Sequence, residues 1–325
     1  MNAPVASAKS SVGISQVEAR DAGIVLDPQR VLANRFLNFI SIFVPLIGTV
    51  FAIAIGITHG FSPLAWTLFA ILFAATVLGV AIGLHRFFTH RSFKAQRWLE
   101  IVLAILGTAA MQGPIDRWVA DHRRHHRFTD QPLDPHSPHY DLSGKLPMLR
   151  GLAHAHFFWM LTGLVSDERR YAADIRPDTA PGWSSRHYWL IAGSVALLPG
   201  VIGGLANGLP EAVACFLLAG CARVSLLHQF TWAVNSIGHV FGGKQEDARD
   251  ESRDNVVLAL LLAGEGLHSY HHKNPTAAVL APTWMDTSGA LLRLMERAGW
   301  IWDVQVGPKI LPRQTGAGCH PEYQG

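Results

Sequence analysis

Nine of the 17 histidines in this chain fall into four short clusters. They are His85 and His90 in GLHRFFTHRSF, His122, His125 and His126 in DHRRHHRFTD, His239 in NSIGHVFG, and His268, His271 and His272 in GEGLHSYHH. Imidazole is the commonest protein ligand for transition metals, and four clusters beside apolar stretches ask for one shared metal centre. Residues at i, i+3 and i+4 share a helix face, so each H-x-x-H-H run can aim three rings into one volume. Nine imidazoles exceed the six ligands of an octahedral ion, whereas two ions with four or five nitrogens each would use them all.

His85 and His90 are five apart, about 140° round an α-helix, and so need a bent helix end or two metals reached from two sides. Asn235 and His239 share a face by the i, i+4 rule. Glu265, Asp121, Asp116 and Asp254 are the nearby carboxylates expected to be best placed to orient the imidazoles. Gly264 and Gly266 flank Glu265, where missing side chains would let backbone approach the ligands. The remaining histidines, among them His136, His139, His154, His156 and His228, are read first as packing or solvated groups.

The elements that must carry these clusters are greasy. The 325 residues are 49% hydrophobic and 16% charged, with mean hydropathy +0.20. That is too apolar for an ordinary soluble domain and too charged for a wholly membrane-embedded one. A membrane helix needs roughly 20 apolar residues, and four stretches qualify: 36–57, 65–84, 188–206 and 212–234. Short connectors join them as two helical hairpins. The stretches 99–111, 157–165 and 256–263 are shorter and are expected as interfacial or core helices.

Lys and Arg number 4 before the first span, 14 from Arg86 to Arg186, 1 in the second hairpin and 8 after Asn235. The positive-inside rule then places both termini, the central segment and every clustered histidine on the cytoplasmic side. Arg223, inside the fourth span, is expected to mark where that helix leaves the lipid. Residues 1–35 are expected as a largely disordered arm and 312–325 as a tail. With no organelle signal recognised, a bacterial inner membrane is the expected location. Three cysteines without a Cys-x-x-Cys pattern make a sulfur site or disulfide framework improbable, and a net charge of +3 spread over several loops argues against nucleic acid as a partner.

The runs GLHRFFTHRSF, QGPIDRWVADHRRHHRFTDQPLDPHSP, TWAVNSIGHVFG and SRDNVVLALLLAGEGLHSYHH together resemble the membrane fatty acyl desaturases, in the branch of the acyl-CoA and acyl-lipid delta-9 enzymes, over about residues 36–272. The resemblance implies an all-α integral membrane protein with four transmembrane helices and a cytosolic helical cap holding a dinuclear iron site. It implies that the nine histidines ligate two iron ions, with Asn235 supporting one through water. It also implies that Gln112, Trp118, Thr231 and Trp232 line the bend of an acyl tunnel, O2 being the co-substrate. Leu267, and Gly163 with Leu164, depart from the family's usual residues, so the acyl carrier is not carried over.

An unactivated methylene has no acidic proton, so breaking its C–H bond requires a metal–oxygen oxidant. A long saturated chain offers no handle at the reacting carbon, so the position must be measured along a tunnel from the bound head group. The chain has no haem, flavin or ferredoxin-type cysteine motif. Electrons are therefore expected from a ferredoxin, a cytochrome b5-like protein or a flavoprotein reductase. The nearest rival is a hydroxylase of the same His-rich membrane type. A metal transporter is the rival from another class, but transporters place their ligands near the bilayer midplane.

Overall fold

A computed structural model describes residues 16–139 and 147–307. The expected tail at 312–325 and the first 15 residues of the expected arm lie outside the described residues. Residues 16–35, by contrast, are not a loose arm. Helix α1 (Gln16–Asp21) buries Ala19, Ala22 and Ile24 against Phe128, Leu133 and Leu164. Tyr171 Oη donates to the Ala22 carbonyl at 2.6 Å. Three apolar side chains and a tethered carbonyl are what the Ala/Ser-rich composition concealed.

Among the described residues, four helices are long and apolar enough to cross a membrane: Pro28–Thr58, Pro63–Thr89, Tyr188–Asn207 and Leu209–His239. The expected spans fall inside them. The first is α2, which starts with Asp27 capping Gln29 N and Pro28 at the first helical position, where a missing N–H costs nothing. The second begins as α3 (Pro63–Leu78), capped by Ser62, and continues into a π-helical segment, Gly79–Thr89. Outward-facing Phe36, Phe39, Ile47, Val50 and Ile57 form the apolar surface a bilayer would cover.

Between the hairpins come α4 (Arg97–Ala109), α5 (Ile115–Phe128), α6 (Pro147–His156), α7 (Glu168–Tyr171) and α8 (Ala180–Arg186). The second hairpin is α9 (Tyr188–Asn207) and α10 (Leu209–Cys215), the latter continuing through a π segment, Phe216–Ala222, into α11 (Arg223–Ser236). Ser62 Oγ bonds Glu211 across the two hairpin turns, away from the histidines. The cap ends with α12 (Val256–Leu261), α13 (His268–Lys273) and α14 (Thr287–Arg297). A two-residue antiparallel pair, Lys94–Ala95 with Ile301–Trp302, ties the end of the cap to the chain after the second span.

Arg223, expected where the fourth span leaves the lipid, is fully buried within the protein, with Nε donating to the Ala219 carbonyl and Nη1 to the Ala109 carbonyl, both at 3.1 Å. His228 Nε2 meets the next carbonyl, Ala110, at 3.0 Å. These two side chains satisfy the open carbonyls at the end of α4, which would otherwise be buried without partners.

Candidate metal centre and acyl cleft

The π segment settles how His85 and His90 work together. The His90 amide bonds the His85 carbonyl at 3.1 Å, an i→i+5 bond. Such bonding lays residues five apart one above the other, so both rings serve one volume from one side. The spacing itself is thus no argument for two metals.

Two groups of imidazoles nevertheless form. The candidate ligand atoms of His85, His90, His122, His126 and His271 lie within 4.8 Å of one another, and those of His125, His239, His268 and His272 form a second such set. Within the first set, Nε2–Nε2 separations are 3.0 Å for His85–His271, 3.2 Å for His90–His122, 3.1 Å for His122–His126 and 2.9 Å for His126–His271. In the second they are 2.9 Å for His239–His268 and 3.2 Å for His125–His272. Metal–nitrogen bonds of about 2.1 Å set neighbouring ligands of an octahedral ion roughly 3 Å apart, so both sets fit a metal ion.

Four imidazoles are held from behind by carboxylates. His125 Nδ1 faces Asp134 at 2.9 Å, His239 Nδ1 faces Asp130 at 3.1 Å, His272 Nδ1 faces Asp250 at 3.0 Å, and His85 Nδ1 abuts Glu265. A carboxylate at Nδ1 fixes the proton there and turns the Nε2 lone pair toward the metal position. Asp134 also accepts from the Asp130 and His136 amides, which marks its oxygens as acceptors. Burial opposes ionisation of Asp130 and Asp250, yet hydrogen bonds from His239 and His272 hold both carboxyls well below their usual range. Burial pushes Asp134 up to about 7, and positive charge at the far nitrogen of His125 would draw it back.

Burial also holds His90, His122, His125, His126, His268 and His271 well below the ordinary imidazole pKa, in the neutral form that ligates metals.

Of the four carboxylates expected to orient imidazoles, only Glu265 does so. Asp121 accepts from Ser166 Oγ, Asp116 from the Arg117 amide, and Asp254 from the Tyr270 amide. Gly264 and Gly266 open space for other groups than the ligands: a Cβ at Gly264 would lie 2.3 Å from Asp286 Oδ1, and one at Gly266 would lie 2.1 Å from the Ala259 amide nitrogen. Asp130, Asp134 and Asp250 were missed, although Asp130 and Asp134 stand in the TDQPLD turn directly after the second cluster. His136 and His139 also border the site, His139 Nε2 meeting the His239 carbonyl at 2.9 Å.

Beside the imidazoles lies a cleft of about 720 Å³, including its open mouth, and a second apolar one of about 450 Å³. Both are lined by Trp118, His122, Thr231 and Asn235. The first adds Gln112, Trp232 and Trp159. The second adds Val77, Val80, Val234 and Leu262. Trp118 Nε1 donates to Gln112 Oε1 at 3.1 Å, and Gln112 Nε2 to Thr231 Oγ1 at 3.0 Å. This chain links α5 to α11 where the clefts share walls. Trp118 stacks on His122 with ring centroids 5.0 Å apart. All four residues expected at a tunnel bend therefore line the first cleft.

The chain belongs to the fatty acid desaturase family, whose pattern it matches over residues 61–280. It is 35% identical to a hex-5-enoyl-[acyl-carrier protein] acetylenase of Moorena producens, over 81% of this chain and 84% of that one. It is 32% identical to an acyl-CoA C20 Delta5-desaturase of Anemone leveillei (77% and 76%) and 31% identical to an sn-1 stearoyl-lipid 9-desaturase of Synechocystis sp. (71% and 69%). The three names specify three different acyl carriers.

Proposed function

We propose that this protein is an O2-dependent acyl desaturase that introduces a cis double bond, at position 9, into a long saturated chain carried by CoA or a lipid. Two iron ions would be held by the two imidazole sets, with Asn235 supporting one through water. When bound, they supply the oxidant for an unactivated C–H bond. The stoichiometry is R–CH2–CH2–R′ + O2 + 2 e⁻ + 2 H⁺ → R–CH=CH–R′ + 2 H2O. The two electrons come from a separate donor protein.

The observation carrying this reading is the pair of clefts that share Trp118, His122, Thr231 and Asn235 beside both nitrogen sets. A chain threaded through both turns at the Gln112–Thr231 hydrogen bond, which holds the reacting carbons beside His122 and bends them toward a cis product. Val77, Val80, Val234 and Leu262 take the methyl end by apolar contact, without a group that could fix position. Position is therefore measured from the head group. Burying the reacting segment under Trp118 keeps bulk water from the oxidant. The cyanobacterial relative's name supports position 9. The charge distribution supports a cytoplasmic site, and the membrane proposed for it is a bacterial inner membrane.

The test is expression in cells that require added unsaturated fatty acid. Growth without supplement, with a new cis monoene in the lipids that is absent for His268→Ala, is the expected result. Unchanged lipids from both would reject the reading.

A further inference from the structure

The proposed reaction consumes two electrons per turnover, and they must reach buried metal positions from outside. One cleft of the cap meets this need. It opens between the ends of α5 and α13, and its lining includes His126 and His272. These two belong to different nitrogen sets, yet their rings stack with centroids 4.6 Å apart. A single point of this lining thus contacts a ligand of each proposed metal.

The cleft's rim is charged. Arg127, Arg249 and Lys273 are exposed around it, against Asp247 and Asp250. Asp250 is committed to His272 Nδ1 and Ser252, which leaves three exposed cations of the lining against Asp247. A polar, cation-rimmed depression is unsuited to an acyl chain, and the two clefts assigned to the chain share no lining residue with it.

Resting on the desaturase reading, we propose that the Arg127–Arg249–Lys273 cleft is the docking surface for a one-electron carrier protein with an acidic face, which delivers electrons through the stacked His126 and His272 rings. Weak redox encounters of this kind use small, polar contacts, and complementary charge sets their association rate and its salt dependence. The carrier gives up one electron per encounter and the metal position gains it, two encounters serving one double bond.

The test uses the full-length, metal-loaded protein in lipid nanodiscs and an acidic [2Fe–2S] ferredoxin as probe. Binding of the ferredoxin and its rate of electron delivery are measured for native protein and for Arg127→Glu/Arg249→Glu, beside reduction by the small mediator methyl viologen. At low salt the variant is expected to lose about ten-fold or more in ferredoxin affinity and rate, together with the dependence on ionic strength. Its metal content and viologen rate are expected to stay within about two-fold of native. Equal ferredoxin affinity in the two proteins overturns the docking surface, as does an equal fall in the viologen rate. Lost ferredoxin affinity in a protein whose native form makes no unsaturated product leaves the docking surface standing and overturns the desaturase reading instead.

Discussion

His125 and His272 approach each other Nε2 to Nε2 at 3.2 Å while each turns its Nδ1 to a carboxylate, Asp134 and Asp250. With both protons on the Nδ1 side, two lone pairs face each other in a buried site, an arrangement that is repulsive without a cation between them. A metal ion between them would relieve that repulsion and so stabilise the fold. Stripping it with a chelator should lower the thermal midpoint by several degrees, since a ligand at a thousand times its Kd adds about 4 kcal/mol. Iron should restore it. A midpoint indifferent to chelation in scanning fluorimetry would mean that the rings tolerate their mutual repulsion.

Asp250 holds His272 from behind and touches no metal position itself. Asp250→Asn should therefore weaken metal binding by about 10- to 100-fold while leaving the helices intact. Competition against a metal indicator, alongside circular dichroism, separates this from unfolding.

Arg86 and Asp286 form the buried pair behind Glu265. Arg86 Nη2 lies 2.9 Å from Asp286 and 3.2 Å from Glu265, and Asp286 also accepts from the Leu280 and Gly289 amides. Removing the Asp286 charge leaves the guanidinium undercompensated where water cannot reach, at a cost of about 3 kcal/mol. Asp286→Asn should show this as a lower unfolding midpoint even with metal present. A midpoint equal to native would assign Asp286 no part in holding the cap.

Gln112 links Trp118 to Thr231 by hydrogen bonds at the cleft junction. Gln112→Ala should slow turnover about ten-fold or more through lost positioning of the acyl chain. Metal content should not change. A parallel loss of metal would place Gln112 in the metal site's support and not in the tunnel.

Val80 is buried on the wall of the inner apolar cleft. Val80→Phe fills that space and should shift the preferred substrate toward shorter acyl chains in a competition assay. An unaltered chain-length profile would show that the methyl end lies elsewhere.

The histidine clusters and the four spans were legible because helical spacing and apolar run length are local properties of the chain. So was a division of the nine imidazoles into two sets, which the coordination number of a metal ion suggests. The carboxylates behind the rings were not. Asp130 meets His239 across 109 positions, and Asp250 meets His272 across 22, pairings that only the folded cap creates. Asp121 looked better placed because it adjoins His122, yet α5 turns it to Ser166, and Asp254, in an isolated bridge, accepts from the Tyr270 amide instead. His85 and His90 required a π-helix, which a regular 3.6-residue period does not anticipate. The partners of Arg223 were not legible either, because they are the backbone carbonyls of Ala219 and of Ala109 at the end of α4, which no side-chain pattern announces.

The most direct measurement is the mass of the product formed when metal-loaded protein in nanodiscs receives O2, reduced ferredoxin and a carbon-13-labelled stearoyl chain. The account predicts a labelled product two hydrogens lighter than the substrate, formed only when both imidazole sets are intact. A labelled product one oxygen heavier would make the protein a hydroxylase, and a chain recovered unchanged would contradict the proposed chemistry outright.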